Sequence, residues 1–176
     1  MHKICFRGNR GFSLVELTMV LGLTAVAAAF AVPILTESVR GMQLASDAKK
    51  ISTTMSYAKL SATAQMTSYR LSFDLDSNQW RLLKRNGNGE FELQETVKDL
   101  SEGVDNSGIA FKATSDSAPE GYPTSSSTSI TFNARGLPDG IGVVYLSNED
   151  GDYAVSISLA GRVQVWKLNN NQWTKT

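Results

Sequence analysis

Glu16 is the one ionisable residue between positions 12 and 35 of this chain. Every neighbour along that stretch is apolar, small or a hydroxyl-bearing residue. An ionised carboxylate in such a setting is costly if the stretch enters lipid, and it then requires a partner. The nearest cation of the right chemistry is a free α-amine, which a cut between Gly11 and Phe12 creates on Phe12, four residues before the acid. That amine belongs either to the same chain or to a neighbouring copy. A local role is equally open. Ser13-Leu14-Val15-Glu16 fits the S-x-x-E capping box, in which the two side chains satisfy amide groups at a helix start. A carboxylate there also suits the positive end of the helix dipole.

Other residue types narrow the chemistry by where they fall. The only histidine, His2, and the only cysteine, Cys5, both lie before Gly11. A chain beginning at Phe12 therefore has no Ser-His-Asp or Cys-His nucleophile, no zinc site with His or Cys ligands and no internal disulfide. Asn148-Glu149-Asp150-Gly151-Asp152 resembles a calcium loop at first sight, but it lacks EF-hand spacing and the bidentate glutamate, and reads as a charged hairpin turn. Asp74, Asp76, Asp99, Glu102 and Asp105 read as solvated strand and loop charges. No catalytic residue, cofactor or metal is implied, and the chain is read as a non-enzyme.

The elements that must hold these residues begin with a membrane anchor. Residues 17–35 carry no charge. Those 19 residues make about 28 Å of helix, close to the roughly 30 Å of a bilayer's hydrocarbon. Lys3, Arg7 and Arg10 precede the run and no acid precedes Glu16. The positive-inside rule then sets the N-terminus in the cytoplasm and the C-terminal part outside it. An A-x-A pattern at Ala27-Ala28-Ala29 lies within the apolar run, which argues against an ordinary removed signal peptide. The whole chain has 17 basic and 17 acidic residues. Loss of residues 1–11 removes three basic ones, leaving 14 against 17 and a formal charge of −3, unlike a nucleic-acid binder.

Helical periodicity continues past the apolar run. Leu44, Ala48, Ile51, Met55, Ala58 and Ala62 are spaced by four and three and line one helix face. The reading is one long helix, or two nearly coaxial ones, from about Phe12 to Gln65. Its second half is amphipathic and lies against something, most simply a sheet. Pro33 predicts a kink or local melting near 29–33. From Ser68 the period becomes two, with Leu71, Phe73 and Leu75 on one face. Trp80–Lys84 follows the turn Asp76-Ser77-Asn78. Asn86-Gly87-Asn88-Gly89 predicts a hairpin turn leading to Phe91–Gln94. Further strands are expected near 107–113, 128–134, 141–147, 153–159 and 162–168, with a Ser/Pro-rich loop over 114–127. The fold class is α+β: a long N-terminal helix, transmembrane and then amphipathic, packed on an antiparallel β domain. The expected division is a cleaved basic leader over 1–11, a transmembrane helix over 12–35, its amphipathic continuation over 36–66, and a β-rich globular domain over 67–176.

Gly11-Phe12-Ser13-Leu14-Val15-Glu16-Leu17, followed by an apolar run with Pro33 near its end, resembles the class III signal of type IV pilins and pseudopilins. This resemblance implies the pilin fold, cleavage between Gly11 and Phe12 by a prepilin peptidase and N-methylation of Phe12. It also implies that Glu16 aids subunit recruitment and alignment, and that Pro33 is the family's helix-breaking proline. Ser129-Ile130-Thr131-Phe132-Asn133-Ala134-Arg135-Gly136 resembles the I-x-F-x-x-x-G segment of the GspH/FimT group, and Gly161-Arg162-Val163 its G-R-V signature. FimU-like minor pilins and pseudopilins belong to that group. Membership implies a low-abundance structural subunit of a type IV pilus or a type II secretion pseudopilus. Such a subunit starts in the inner membrane, single-pass with its C-terminal domain periplasmic. It sits near the filament tip and helps prime assembly with other minor subunits and the major subunit.

Some members of the group bind DNA through a C-terminal G-R-x-R segment. Here Gln164 stands at the second arginine. Arg162, Lys167 and Lys175, with Trp166 and Trp173 and no acid over 161–176, keep a DNA-binding minor pilin for DNA uptake as the alternative reading. An ordinary hairpin turn at Gly161-Arg162 is the plain alternative to any binding role.

Overall fold

Residues 13–113 and 128–176 are described by a computed structural model; the side chains of 31–38 and 106–113 are outside that description. Gly11, Phe12 and the 114–127 loop therefore lie outside the described residues. Among the described residues one helix and ten strands are assigned. The chain divides into two compact units, Met1–Ser38 and Val39–Thr176.

Helix α1 is assigned from Leu14 to Ala64 and continues through Pro33 and Gly41, so the backbone there is not melted. Its first turn belongs to the first unit. Leu17 N–H donates to the Ser13 carbonyl at 3.1 Å. Ser13 thus holds the N-cap position, and Glu16 the third helical position after it. Leu14, Val15, Leu17, Met19, Val20, Leu21, Leu23, Val26 and Phe30 all present their side chains to solvent. Among the described residues no helix is long and apolar enough to cross a membrane. The uncharged run over 17–35 passes into 31–38, whose side chains lie outside the description.

The second unit is built on the other half of α1. Leu44, Ala48, Ile51, Met55, Ala58 and Ala62 are all buried, and they form one face as their spacing requires. The strands are β1 (Tyr69–Asp74), β2 (Gln79–Arg85), β3 (Phe91–Leu93), β4 (Lys98–Asp99), β5 (Asp105–Ala113), β6 (Ser129–Phe132), β7 (Ile141–Asn148), β8 (Gly151–Ile157), β9 (Val163–Asn169) and β10 (Gln172–Lys175). One sheet has the order β3-β2-β1-β6, with β4 also pairing β2; the other runs β10-β9-β8-β7-β5. Every pairing is antiparallel.

Alternation along the strands directs side chains to the helix. Tyr69, Leu71 and Phe73 on β1, Trp80 and Leu82 on β2, and Ile130 and Phe132 on β6 join the helix face in one core. Val144, Leu146, Val155 and Ile157 from the second sheet complete it. That sheet has a second apolar face, where Val143, Tyr145 and Ala154 pack with Trp166 and Trp173. Burial there raises the Tyr145 hydroxyl above its ordinary pKa.

Turn chemistry explains the connections. Asp74 Oδ1 accepts from the amides of Asp76 and Ser77 at 3.2 and 3.4 Å, tying the β1–β2 turn. Asn86 Oδ1 accepts from Asn88 and Glu90 in the β2–β3 hairpin at 3.0 and 2.9 Å. Asn170 and Asn171 both adopt positive φ, 49° and 63°, the two-residue geometry that matches strand twist between β9 and β10.

Candidate functional site

The residues singled out in the sequence fall in three places. Glu16 is exposed in the first turn of α1, surrounded along the helix by exposed apolar side chains. A carboxylate at this position can complement the helix dipole, and it can equally accept a cation from another chain.

The C-terminal cations separate. Arg162 lies in the tight turn between β8 and β9, where Gly161 N–H donates to the Ser158 carbonyl at 2.8 Å and Ser158 N–H to the Arg162 carbonyl at 3.0 Å. Lys167 shares a face with Val163 and Val165 and lies over the Tyr153 ring, 5.9 Å from its centre. Lys175 pairs across strands with Trp166 and so shares the opposite face. Trp166 and Trp173 are half-buried in the second apolar cluster, and the Trp166 indole N–H donates to Ser156 Oγ at 2.8 Å. Neither ring is a free stacking platform.

The turn at 148–152 is a two-residue hairpin, with Asn148 opposite Gly151. The Glu149 carboxylate pairs with Arg40, and Asn148 Nδ2 donates to the Arg40 carbonyl at 3.0 Å. The turn is thus fastened to α1. Among the described residues no group of three His, Cys, Asp or Glu side chains is placed to hold a metal ion.

Two helix residues outside the apolar pattern organise the unit. Lys59 reaches across to the β8–β9 turn, where its Nζ donates to the carbonyls of Gly161 at 3.0 Å and Ala160 at 3.4 Å. Gly136 and Gly161 both have positive φ, 74° and 70°. A Cβ on Gly136 would stand 2.6 Å from Thr63 Oγ1, and one on Gly161 would stand 3.1 Å from the Gly136 carbonyl. The I-x-F-x-x-x-G and G-R-V segments therefore meet against one turn of α1, and their glycines permit the approach. Asp47, only 1% exposed, accepts from Lys50 Nζ and from the Ser101 amide, both at 2.7 Å. It anchors the segment carrying Leu100 and the buried Val104 against the helix.

Lys59, Gly136 and Gly161 lie within one stretch of sequence that matches a known family. The family model described as Type II transport protein GspH matches residues 47–161. The chain belongs to the GspH family. Solved structures share the fold at low identity. EpsH, a minor pseudopilin of the Vibrio cholerae Type 2 Secretion System, aligns with TM-score 0.53 at 11% identity, covering 70% of this chain and 95% of that one. The type IV minor pilin FimU of Pseudomonas aeruginosa aligns with TM-score 0.53 at 16% identity, covering 77% and 95%. No curated protein matches this chain by sequence. The residues matched by the GspH model run from Asp47 through Lys59 and Gly136 to Gly161.

Proposed function

We propose that this GspH-family chain is a minor pilin or pseudopilin, a structural subunit of a type IV pilus or a type II secretion pseudopilus. A prepilin peptidase cuts between Gly11 and Phe12 and Phe12 is N-methylated. Before assembly the subunit is held in the inner membrane by its N-terminal helix, with the second unit in the periplasm. The subunit stands near the filament tip and helps prime assembly, with Pro33 bending the helix to fit its neighbours. Glu16 pairs with an N-terminal amine and sets subunit alignment.

The observation that carries this reading is Glu16 at the third position of α1 among exposed apolar side chains. An apolar helix surface bearing one acid at its start is suited to association with other helices through packing and one charge pair. The β unit meanwhile fills its own core without that surface. The dispersal of Arg162, Lys167 and Lys175 weighs against DNA capture as the role. Mass spectrometry of the chain recovered from cells with an active prepilin peptidase tests the proposal. A terminal peptide beginning at N-methylated Phe12 is expected, and a chain retaining residues 1–11 overturns it.

A further inference from the structure

The two ends of the Val39–Thr176 unit differ in charge and shape. At one end, Arg40 and Gln43 of α1 and the β7–β8 turn border an open cleft of about 560 Å³. Glu102, Asp105 and Glu149 line it, and exposed Asp150 stands beside Glu149. Glu149 is matched by Arg40, and Asp105 Oδ1 accepts from Asn78. Glu102 and Asp150 have no side-chain partner among the described residues.

At the other end, the turns of Gly136 and Gly161 touch. They bring Arg135 and Arg162, 27 positions apart in sequence, onto adjacent turns. Both are exposed, and neither guanidinium has a partner among the described residues. Leu137 and Leu159, 60% exposed, lie on the same two turns, and Leu60, 68% exposed, follows Lys59 on α1. Lys59 packs beside the Gly136 turn, and its Nζ is occupied by the Gly161 and Ala160 carbonyls of the β8–β9 turn. Among the described residues the acid on the Gly136 side, Asp139, accepts from the Thr131 amide at 3.0 Å. Arg40 and Leu60 are separated by about 30 Å of helix, so these are opposite ends of one unit.

We propose that the Arg135–Arg162 end docks into the acidic cleft of a second copy, head to tail. Opposite charges and a projecting apolar tip facing an open cleft make the two ends complementary. Exposed leucines beside arginines suit a protein partner, since exposed apolar patches rimmed by polar groups mark interaction sites and Arg is enriched at protein interfaces. The proposal deepens the filament reading and rests on it for its role in the cell, but its test needs neither the Gly11 cut nor Glu16.

The test uses the purified full chain in detergent, with Cys5→Ser throughout. Ala160→Cys marks the arginine end and Ser147→Cys the cleft. Within one molecule these positions are separated by about 25 Å of strand, so a bismaleimide of less than half that span links only different molecules. A covalent dimer from the mixed variants, at least tenfold over either alone at low salt and reduced at high salt, is expected. Arg135→Glu with Arg162→Glu should abolish it, Arg135→Gln with Arg162→Gln should weaken it, and Glu102→Arg with Asp150→Arg in the cleft partner should restore it to the Glu variant. No mixed dimer, a dimer indifferent to these charges, or equal linking of the Ala160→Cys variant to itself overturns the proposal. Salt-sensitive DNA retention lost in the arginine variants, without cross-linking, also overturns it and assigns that end to nucleic acid.

Discussion

Lys59 Nζ donates a 3.0 Å hydrogen bond to the Gly161 carbonyl, joining the last turns of α1 to the turn between β8 and β9. Gly136 packs beside it, with Thr63 Oγ1 where a side chain would begin. Gly136→Ala faces both a positive φ and a steric overlap and should cost about 2–3 kcal/mol. Lys59→Ala should cost about 1 kcal/mol, the scale of a net hydrogen bond. Thermal unfolding of the two variants checks this. Adding Thr63→Ala should return only the steric part of the Gly136→Ala loss, leaving the backbone part.

Asp47 carries a second long-range tie. Asp47→Ala leaves the Ser101 amide without its carboxylate and should cost about 1.5–3 kcal/mol. Hydrogen exchange should rise first over residues 100–104. Lys50 is half exposed, so Lys50→Ala should cost less than about 1 kcal/mol. Denaturant titration of both variants distinguishes the two contributions.

Asp74 gives the unit a dependence on acid. Hydrogen bonds from Ser77, its side chain first and then its amide, with smaller help from Asp76 and Arg81, hold the Asp74 carboxyl below its usual range. A depressed carboxyl pKa adds stability above the unfolded value of about 3.9, and that stability is lost as pH falls through the folded value. The wild-type melting temperature should therefore fall more between pH 5 and pH 3 than that of Asp74→Asn. Equal falls would show that Asp74 adds no acid dependence.

Much of the fold is legible in the sequence because single local signals set it. The four-and-three spacing from Leu44 to Ala62 names the buried helix face, and alternation through Leu71 and Phe73 names the inner face of β1. Two strands are not legible at the same level. β4 is two charged residues, held by Gln79 Nε2 to Asp99 at 2.8 Å and by Lys98 over the Trp80 ring at 5.0 Å. β10 depends on the Asn170-Asn171 turn, a dipeptide tolerant of positive φ whose signal lies in the sequence but is weaker than Asn-Gly. Asp47 and Lys59 look like surface charges on a helical wheel. Their roles appear only once Ser101 and Gly161, 54 and 102 positions away, are brought against the helix. The run of C-terminal cations is misleading for the converse reason. Residues adjacent in a basic segment are distributed by a strand to opposite faces, while Arg135 joins Arg162 from a distant turn.

The central claim is that Glu16 aligns this subunit in a filament. Filaments sheared from cells expressing wild type, Glu16→Gln or Glu16→Ala, normalised to total chain, measure it directly. Wild type should be recovered in the filament fraction and Glu16→Ala reduced at least tenfold. Glu16→Gln, which keeps the shape and loses the charge, should be reduced nearly as far. Recovery of Glu16→Ala at the wild-type level would contradict the account.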